Sequence, residues 1–240
     1  MHSTSLQPHS GLRPGDVVLF QGDSITNAFR RPDEVSNAYQ LGAGYPLILA
    51  AHLLQTRPAD ALQFHNRGVA GNTLGQVRAR WQADALALDP TVISLLVGIN
   101  DTAYEAGGNT VLSAAQFEQE YRALLQESRR ALPDVRFILC QPFALTVGLV
   151  TERWLAPLAQ RQRVVASLAR EFEAVFVPLQ PDFDAATRQA PPAYWIYDGV
   201  HPTAPGHQLI AQAWLRAVAP RGSASAGKPT NRDDLAYVVS

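Results

Sequence analysis

The sequence predicts an α/β protein: one parallel sheet of five strands with helices on both faces. Short apolar runs alternate five times with longer segments whose apolar residues recur at helical spacing, the pattern of strand–helix–strand crossovers of one hand. One of those runs, Val92-Ile93-Ser94-Leu95-Leu96-Val97, is nearly continuous in apolar character, which suits a central strand covered from both sides. The 240 residues, 47% hydrophobic and 17% charged, suffice for one large domain and are too few for two ordinary ones.

Taken in order, residues 1–12 form a polar leader, 13–220 the domain, and 221–240 a tail of linker-like composition that is expected to be poorly ordered. Val17-Val18-Leu19-Phe20 is the first strand. The polar connection Asn27–Gly44 follows, long enough to expect it as one wall of a binding site. Tyr45-Pro46-Leu47 opens a helix, with the proline suited to its first turn, that reaches about Thr56. Ala61–Asn66 alternates in the manner of an edge strand. Asn72 or Thr73 caps a helix in which Leu74, Val77, Trp81, Ala85 and Leu88 share a face, while Arg78 and Arg80 lie off that stripe and are expected in solvent.

Beyond Val92–Val97, a helix over Ser113–Ala131 presents Phe117, Tyr121, Leu124 and Leu125 on one side. Val135–Cys140 is the fourth strand. Thr151–Phe172 is helical with an irregular start around Pro157, and Ala174–Val177 is the fifth strand. A short helix over Asp182–Gln189 precedes Pro191-Pro192. The last helix, roughly Pro205–Val218, buries Leu209, Ile210, Ala213, Trp214 and Ala217.

Composition excludes several function classes. A net charge of −1 and a pI near 6.6 offer no electrostatic case for nucleic acid or an anionic membrane as partner. No apolar run approaches the roughly 20 residues of a membrane span. The single cysteine, Cys140, rules out an internal disulfide and sits in a strand, where it is expected to pack as a small hydrophobe. There is no His-x-x-x-His helix, Cys/His cluster, phosphate loop or dinucleotide fingerprint, so neither a metal nor a cofactor is expected. Met1–Pro8 lacks the basic and apolar regions of a secretory signal, which makes a cytoplasmic protein the expectation.

The motifs point to nucleophilic catalysis. Gly22-Asp23-Ser24-Ile25-Thr26 follows the first strand directly, so Ser24 stands where the chain turns at the carboxyl end of a sheet strand. A serine hydroxyl needs a base, an acid to orient that base, and donors for an oxyanion. Asp198-Gly199-Val200-His201 sets a carboxylate three residues before an imidazole, so both side chains can lie on one side of a single turn. Gly71, in Asn66–Thr73, offers a backbone N–H with no side chain in the way, and Asn100, in Gly98-Ile99-Asn100-Asp101, offers a carboxamide. Asp23 and Asp101 flank these candidates and read as turn-stabilising residues, because a carboxylate beside an oxyanion would oppose it.

These four blocks, in this order from about Asp16 to about Ala217, resemble the SGNH (GDSL-type) hydrolase family. The resemblance implies a flavodoxin-like three-layer sandwich with strand order 2-1-3-4-5. It also implies Ser24 as nucleophile, His201 as general base and then acid, Asp198 as its orienting partner, and an oxyanion hole of Ser24 N–H, Gly71 N–H and the Asn100 side chain. Within the family the sequence is similar to bacterial carbohydrate esterases that remove acetyl groups from xylo-oligosaccharides. That similarity rests on Gly22–Thr26, Gly44-Tyr45, Gly71-Asn72-Thr73 with Arg80-Trp81, Gly98–Asp101, Gln141-Pro142-Phe143 and His201-Pro202.

An acetylated sugar ester is thus the expected partner, contacted by Trp195, Tyr194 and Arg30, with the aromatic group Tyr194-Trp195-Tyr197 just before Asp198 expected to line the pocket. The helix faces carry no distinctive dimer signature, and a homo-oligomer is compatible with them. Two other readings stay open: a lipid or aryl esterase or thioesterase of the same family, and a non-catalytic carbohydrate-binding protein on the same fold.

Overall fold

Strands β1 (Val17–Gly22), β2 (Gln63–Asn66), β3 (Val92–Leu96), β4 (Arg136–Cys140) and β5 (Val175–Val177) form one sheet in the order β2-β1-β3-β4-β5. Every pairing is parallel, so all five carboxyl ends emerge at one edge. The register sets Phe20 beside Asn66 and Gly22 beside Leu96. The order reverses at β1, the position where open α/β sheets leave a crevice for a ligand. The structure, a computed structural model, describes residues 11–33, 37–109 and 112–219. The expected tail, 221–240, and residues 1–10 of the expected leader lie outside the described residues. Gly11 and Leu12 are described and touch the domain, the first through a hydrogen bond from Arg136 at 2.8 Å and the second by packing on the core.

The helices are α1 (Ser24–Asn27), α2 (Asn37–Leu41), α3 (Tyr45–Thr56), α4 (Leu74–Ala79), α5 (Trp81–Asp84), α6 (Ile99–Ala106), α7 (Ala114–Ala131), α8 (Leu155–Glu171), α9 (Gln180–Ala186), α10 (Pro192–Trp195) and α11 (Ala204–Val218). Strand alternation divides the core in two. Val18 and Phe20 point to a cluster that includes Tyr45, Leu49 and Leu53 of α3 and Ile210 and Trp214 of α11. Leu19 points to the opposite cluster, with Val77, Trp81, Phe117, Tyr121 and Leu168. This gives helix, sheet and helix layers. On the α3 and α11 side Phe20 packs edge-on to Tyr45 and stacked on Phe64 of β2, at centroid distances of 5.6 and 6.2 Å.

Local chemistry explains most boundaries. Pro46 occupies the first turn of α3, where its missing N–H has no intrahelical bond to make. Ser113 and Gln116 form a capping box on α7, and Thr73 and Gln76 do the same on α4. Cys140 is fully buried, as its strand position suggests. The segment expected as one helix from Thr73 to Leu88 is instead α4, α5 and a 3-10 turn at Leu86–Leu88. The break falls at Arg80, whose side chain is drawn into the carboxyl edge of the sheet and whose backbone leaves helical geometry at φ −110°, ψ 9°. In α8 the irregular turn is Glu152–Trp154, and Pro157 sits inside the first helical turn that follows. Helices α2, α6 and α10 are too short for periodicity to reveal.

Candidate active site

The site is built at the carboxyl edge where β1, β2 and β3 end. Strand β1 stops at Gly22, whose Cα lies against β3: a Cβ there would stand 2.2 Å from the Leu96 carbonyl oxygen and 2.6 Å from Thr26 Oγ1. Asp23 then caps α1, its Oδ1 accepting from Ile25 N–H at 3.0 Å. Ser24 is the first residue of α1, so its own N–H has no intrahelical acceptor. Thr26, fully buried, holds the helix down through its Oγ1 at 3.0 Å from the Tyr45 hydroxyl.

Far along the chain, Asp198 and His201 reach the same place. The loop that carries them is closed by a bridge between Ile196 and Pro202 and by Tyr197 N–H donating to the His201 carbonyl at 3.1 Å. Asp198 Oδ1 accepts from the Val200 and His201 N–H groups at 3.0 and 2.7 Å, and its Oδ2 lies 2.7 Å from His201 Nδ1. His201 Nε2 lies 2.9 Å from Ser24 Oγ. Partial burial pushes the Asp198 carboxyl up, but the bonds from His201 and Val200 outweigh it and hold the group below its usual range. An ionised Asp198 fixes the proton on Nδ1 and leaves Nε2 as acceptor toward Ser24.

The loop after β4 braces this arrangement, and nothing in the sequence motif announces it. Leu145 N–H donates to the Gly199 carbonyl at 3.0 Å, and Leu149 N–H to the Asp198 carbonyl at 2.8 Å. Gly148, at φ +60°, lies so close that a Cβ would stand 2.7 Å from the Asp198 carbonyl oxygen. Any side chain there would push the acid out of line.

The donor side comes from β2 and β3. Asn66, the last residue of β2, is buried and donates to the Thr26 and Leu41 carbonyls at 2.6 and 2.8 Å while accepting from Gly68 N–H at 2.9 Å. It ties α1, α2 and the following loop together. Gly68 then passes α1 at a distance where a Cβ would meet Asn27 N at 2.4 Å. Gly71 adopts φ +78° with open space where its Cβ would be. Asn100, at the start of α6, donates one Nδ2 hydrogen to the Asn72 carbonyl at 3.0 Å, which links the end of β3 to the loop holding Gly71. Its second hydrogen stays uncommitted among the described residues.

Arg80 is the residue that pattern reading misplaces. Instead of facing solvent it donates to Asn72 Oδ1 (2.8 Å), the Arg67 carbonyl (2.7 Å), Asp84 Oδ2 (2.9 Å) and the Gly22 carbonyl (3.1 Å). One guanidinium thereby fastens the β1 end to the loop after β2. Arg78, also expected in solvent, pairs with Glu120 of α7.

A cavity of about 310 Å³ opens beside Ser24 and His201, lined also by Ile25, Asn27, Ala28, Phe29, Ala70, Tyr197, Pro202 and His207. The first residues of the long polar connection thus form one of its walls, as expected. Tyr197 stacks on the His201 ring at 5.8 Å and 18°. The expected contacts Arg30, Tyr194 and Trp195 do not line this cavity, and their bonds show why. Arg30 Nε donates to the Gly68 carbonyl at 2.7 Å, Trp195 Nε1 to the Ala190 carbonyl at 3.3 Å, and Tyr194 lies edge-on to Trp195 at 4.9 Å. His207 Nδ1 accepts from Tyr45 N–H at 3.3 Å, and burial, with the charge of His201, pushes the imidazole down to about 4. It is a neutral wall residue.

The chain resembles known proteins over most of its length. The model of the GDSL-like lipase/acylhydrolase family matches residues 20–209. An acetylxylan esterase from Geobacillus stearothermophilus is 31% identical over 209 residues, covering 85% of this chain and 94% of the relative. A solved structure of an acetylxylan esterase from the same organism superposes with a TM-score of 0.78 at 30% identity, over 86% of this chain and 95% of that one. A solved structure assigned as a GDSL-like lipase, from Parabacteroides merdae, gives a TM-score of 0.84 at 38% identity, over 88% and 99% of the two chains.

Proposed function

Because the chain belongs to the GDSL-like lipase/acylhydrolase family, we propose that it is a serine esterase that removes O-acetyl groups from carbohydrates, with acetylated xylo-oligosaccharides as the substrate class. The observation that carries this reading is the hydrogen-bonded relay from Ser24 Oγ through the His201 ring to Asp198, with links of 2.9 and 2.7 Å.

In this mechanism His201 Nε2 takes the Ser24 proton as Oγ attacks the acetyl carbonyl, while Asp198 stabilises the imidazolium that forms. The carbonyl oxygen becomes an oxyanion and collects hydrogen bonds from Ser24 N–H, Gly71 N–H and the uncommitted Asn100 N–H. His201 gives its proton to the sugar oxygen as the carbon–oxygen bond breaks, which leaves the acetyl group on Ser24. Water then attacks that ester with His201 as base, and acetate departs as Oγ regains a proton. These steps call on no metal and no cofactor.

Two further observations favour a small acyl group on a sugar. The cavity of about 310 Å³ lies at the small end of the range for ligand sites, about 300–1,000 Å³. The acetylxylan esterase of G. stearothermophilus is similar over most of both chains. The test is a hydrolysis series: acetylated xylose and xylobiose beside 4-nitrophenyl acetate, butyrate and octanoate, for the wild type and Ser24→Ala. Acetate release from the sugars is expected, falling roughly 10⁴-fold or more in Ser24→Ala. A preference for octanoate with no acetate from sugars replaces this reading with a lipid or aryl esterase. A serine-reactive phosphonate that leaves Ser24 unlabelled replaces it with a non-catalytic carbohydrate-binding protein.

A further inference from the structure

Phe29 is the anomaly of the cavity wall. It is 88% exposed, which leaves a whole phenyl ring in water, and its backbone sits in the left-handed region at φ +61°, directly after Ala28 at φ +38°. Such a conformation is disfavoured for residues other than glycine and asparagine, and it persists only where the surroundings over-determine it. Here they do. Asn27 Oδ1 accepts from Phe29 N–H at 3.1 Å, Asn27 Nδ2 and Arg30 Nε both donate to the Gly68 carbonyl at 3.0 and 2.7 Å, and Ala43 N–H donates to the Ala28 carbonyl at 2.7 Å. Gly42 closes the other side, where a Cβ would stand 2.6 Å from the Asn27 oxygen and 2.7 Å from the Ala28 oxygen.

None of those bonds involves the ring. The turn would form with asparagine or glycine at this position without the apolar exposure, so the fold does not account for a phenylalanine. Its location does. Phe29 lines the cavity of Ser24 and His201, and it also lines a second, more apolar cavity of about 330 Å³ bounded by Arg31, Tyr39, Gly42, Ala43 and Leu47. Phe29 belongs to both walls. In the second cavity Tyr39 is 57% exposed, with the Arg31 guanidinium 5.8 Å from its ring centroid.

We propose that Phe29 is the stacking platform of a leaving-group subsite, on which the ring bearing the scissile ester lies while the next ring of the substrate reaches the Tyr39 cavity. The ligand class is a pyranose oligomer of two or more units, an identity that rests on the carbohydrate reading above. A pyranose presents a face of C–H groups bordered by hydroxyls, and it needs one apolar surface with water on the other side. An exposed ring whose backbone is already fixed supplies that surface at little entropic cost. An alkyl chain gains little there, because it needs apolar contact around its circumference.

The test compares Phe29→Asn, which suits the left-handed backbone but removes the ring, and Phe29→Trp, which enlarges it, with the wild type. The substrates are methyl acetate (no ring), 4-nitrophenyl acetate (one ring) and acetylated xylobiose (two). Each variant is compared with the wild type on the same substrate, so intrinsic ester reactivity cancels. For Phe29→Asn, kcat/KM on acetylated xylobiose should fall about tenfold, mainly through KM, with a smaller loss on 4-nitrophenyl acetate and none on methyl acetate; Phe29→Trp should keep xylobiose activity. Equal losses on all three esters, or none on any, overturn the platform. So does a wild type that dimerises in sedimentation while Phe29→Asn is monomeric with unchanged kinetics, since the ring then serves an interface. A wild type that cleaves no sugar acetate sinks the carbohydrate reading instead, and the platform is then judged on 4-nitrophenyl against methyl acetate.

Discussion

Asp16 and Asp23 stand just before and just after the same strand, β1, and the fold treats them in opposite ways. Asp16 is 4% exposed and fully engaged: its Oδ2 accepts from Arg13 N–H at 2.6 Å, its Oδ1 accepts from Thr91 Oγ1 at 2.8 Å, and Arg136 of β4 pairs with it. Burial pushes its carboxyl up, but these bonds outweigh that and hold it below the usual range. Asp23 is completely buried, and only its Oδ1 is engaged; Oδ2 has no donor among the described residues. Burial, with Asp101 adding to it, pushes this carboxyl up to about 7. At the amino edge Asp16 is thus fully bonded, while among the described residues the carboxyl edge keeps groups uncommitted: Asp23 Oδ2, the Ser24 N–H and the second Asn100 N–H. A fold can hold reactive groups at one end of a strand only if the other end and the core supply the stability.

The largest effect should come from unfastening the amino edge. Asp16→Ala removes the acceptor of Arg13 N–H and of Thr91 Oγ1 together with the ion-pair partner of the partly buried Arg136, losses that together cost about 3 kcal/mol. Urea unfolding should show that loss, while the kcat of whatever protein remains folded stays near the wild-type value. A variant that keeps its stability but loses kcat would erase the division of labour between the two edges.

At the carboxyl edge the expected pattern is reversed. Asn100→Ala should lower kcat roughly 100- to 1000-fold, the usual result of losing one oxyanion donor, with KM little changed. Its stability cost should be about 1 kcal/mol, since among the described residues its side chain makes one hydrogen bond, to the Asn72 carbonyl. A large drop in unfolding midpoint with kcat intact would make Asn100 a loop fastener and remove it from the chemistry.

The same contrast explains what could be read from the chain. Strands buried on both faces leave continuous apolar runs, so the sheet is legible, whereas its strand order follows only from the family resemblance. A serine relay demands a few residue types, so Ser24, Asp198 and His201 stand out as candidates, and the structure brings those three together. Arg80 is not legible, because it lies off the apolar stripe of its helix and finds its acceptors in segments distant in sequence. The pair Arg80-Trp81 among the family-like residues was the one available signal. Gly148 carried no signal, since its role exists only against the backbone of Asp198. The wall residues failed for a related reason: Tyr194, Trp195 and Tyr197 are neighbours in sequence, yet only Tyr197 turns toward the cavity, because Trp195 packs inward on the core.

The subtlest test of the comparison is Asp23→Asn, which keeps the helix cap through the asparagine oxygen and removes the titration. In the unfolded chain this carboxyl ionises near 3.9, whereas in the folded protein it holds its proton up to about 7. Between those values the folded state binds the extra proton, so the stability due to Asp23 is complete below about pH 4 and is lost as the pH rises, at about 1.4 kcal/mol per unit. From pH 5 to 7 the loss is about 2 kcal/mol. His207 acts with the opposite sign: its imidazole is pushed down to about 4, so its contribution is present above about pH 6.5 and lost as the pH falls. Because His207 is present in both proteins, it cancels in the difference. Urea midpoints measured from pH 5 to 8 should therefore show Asp23→Asn gaining about 2 kcal/mol on the wild type by pH 7. A difference that stays flat means that Asp23 ionises in the folded protein as it does in the unfolded one, and the two ends of β1 then carry carboxylates of the same kind.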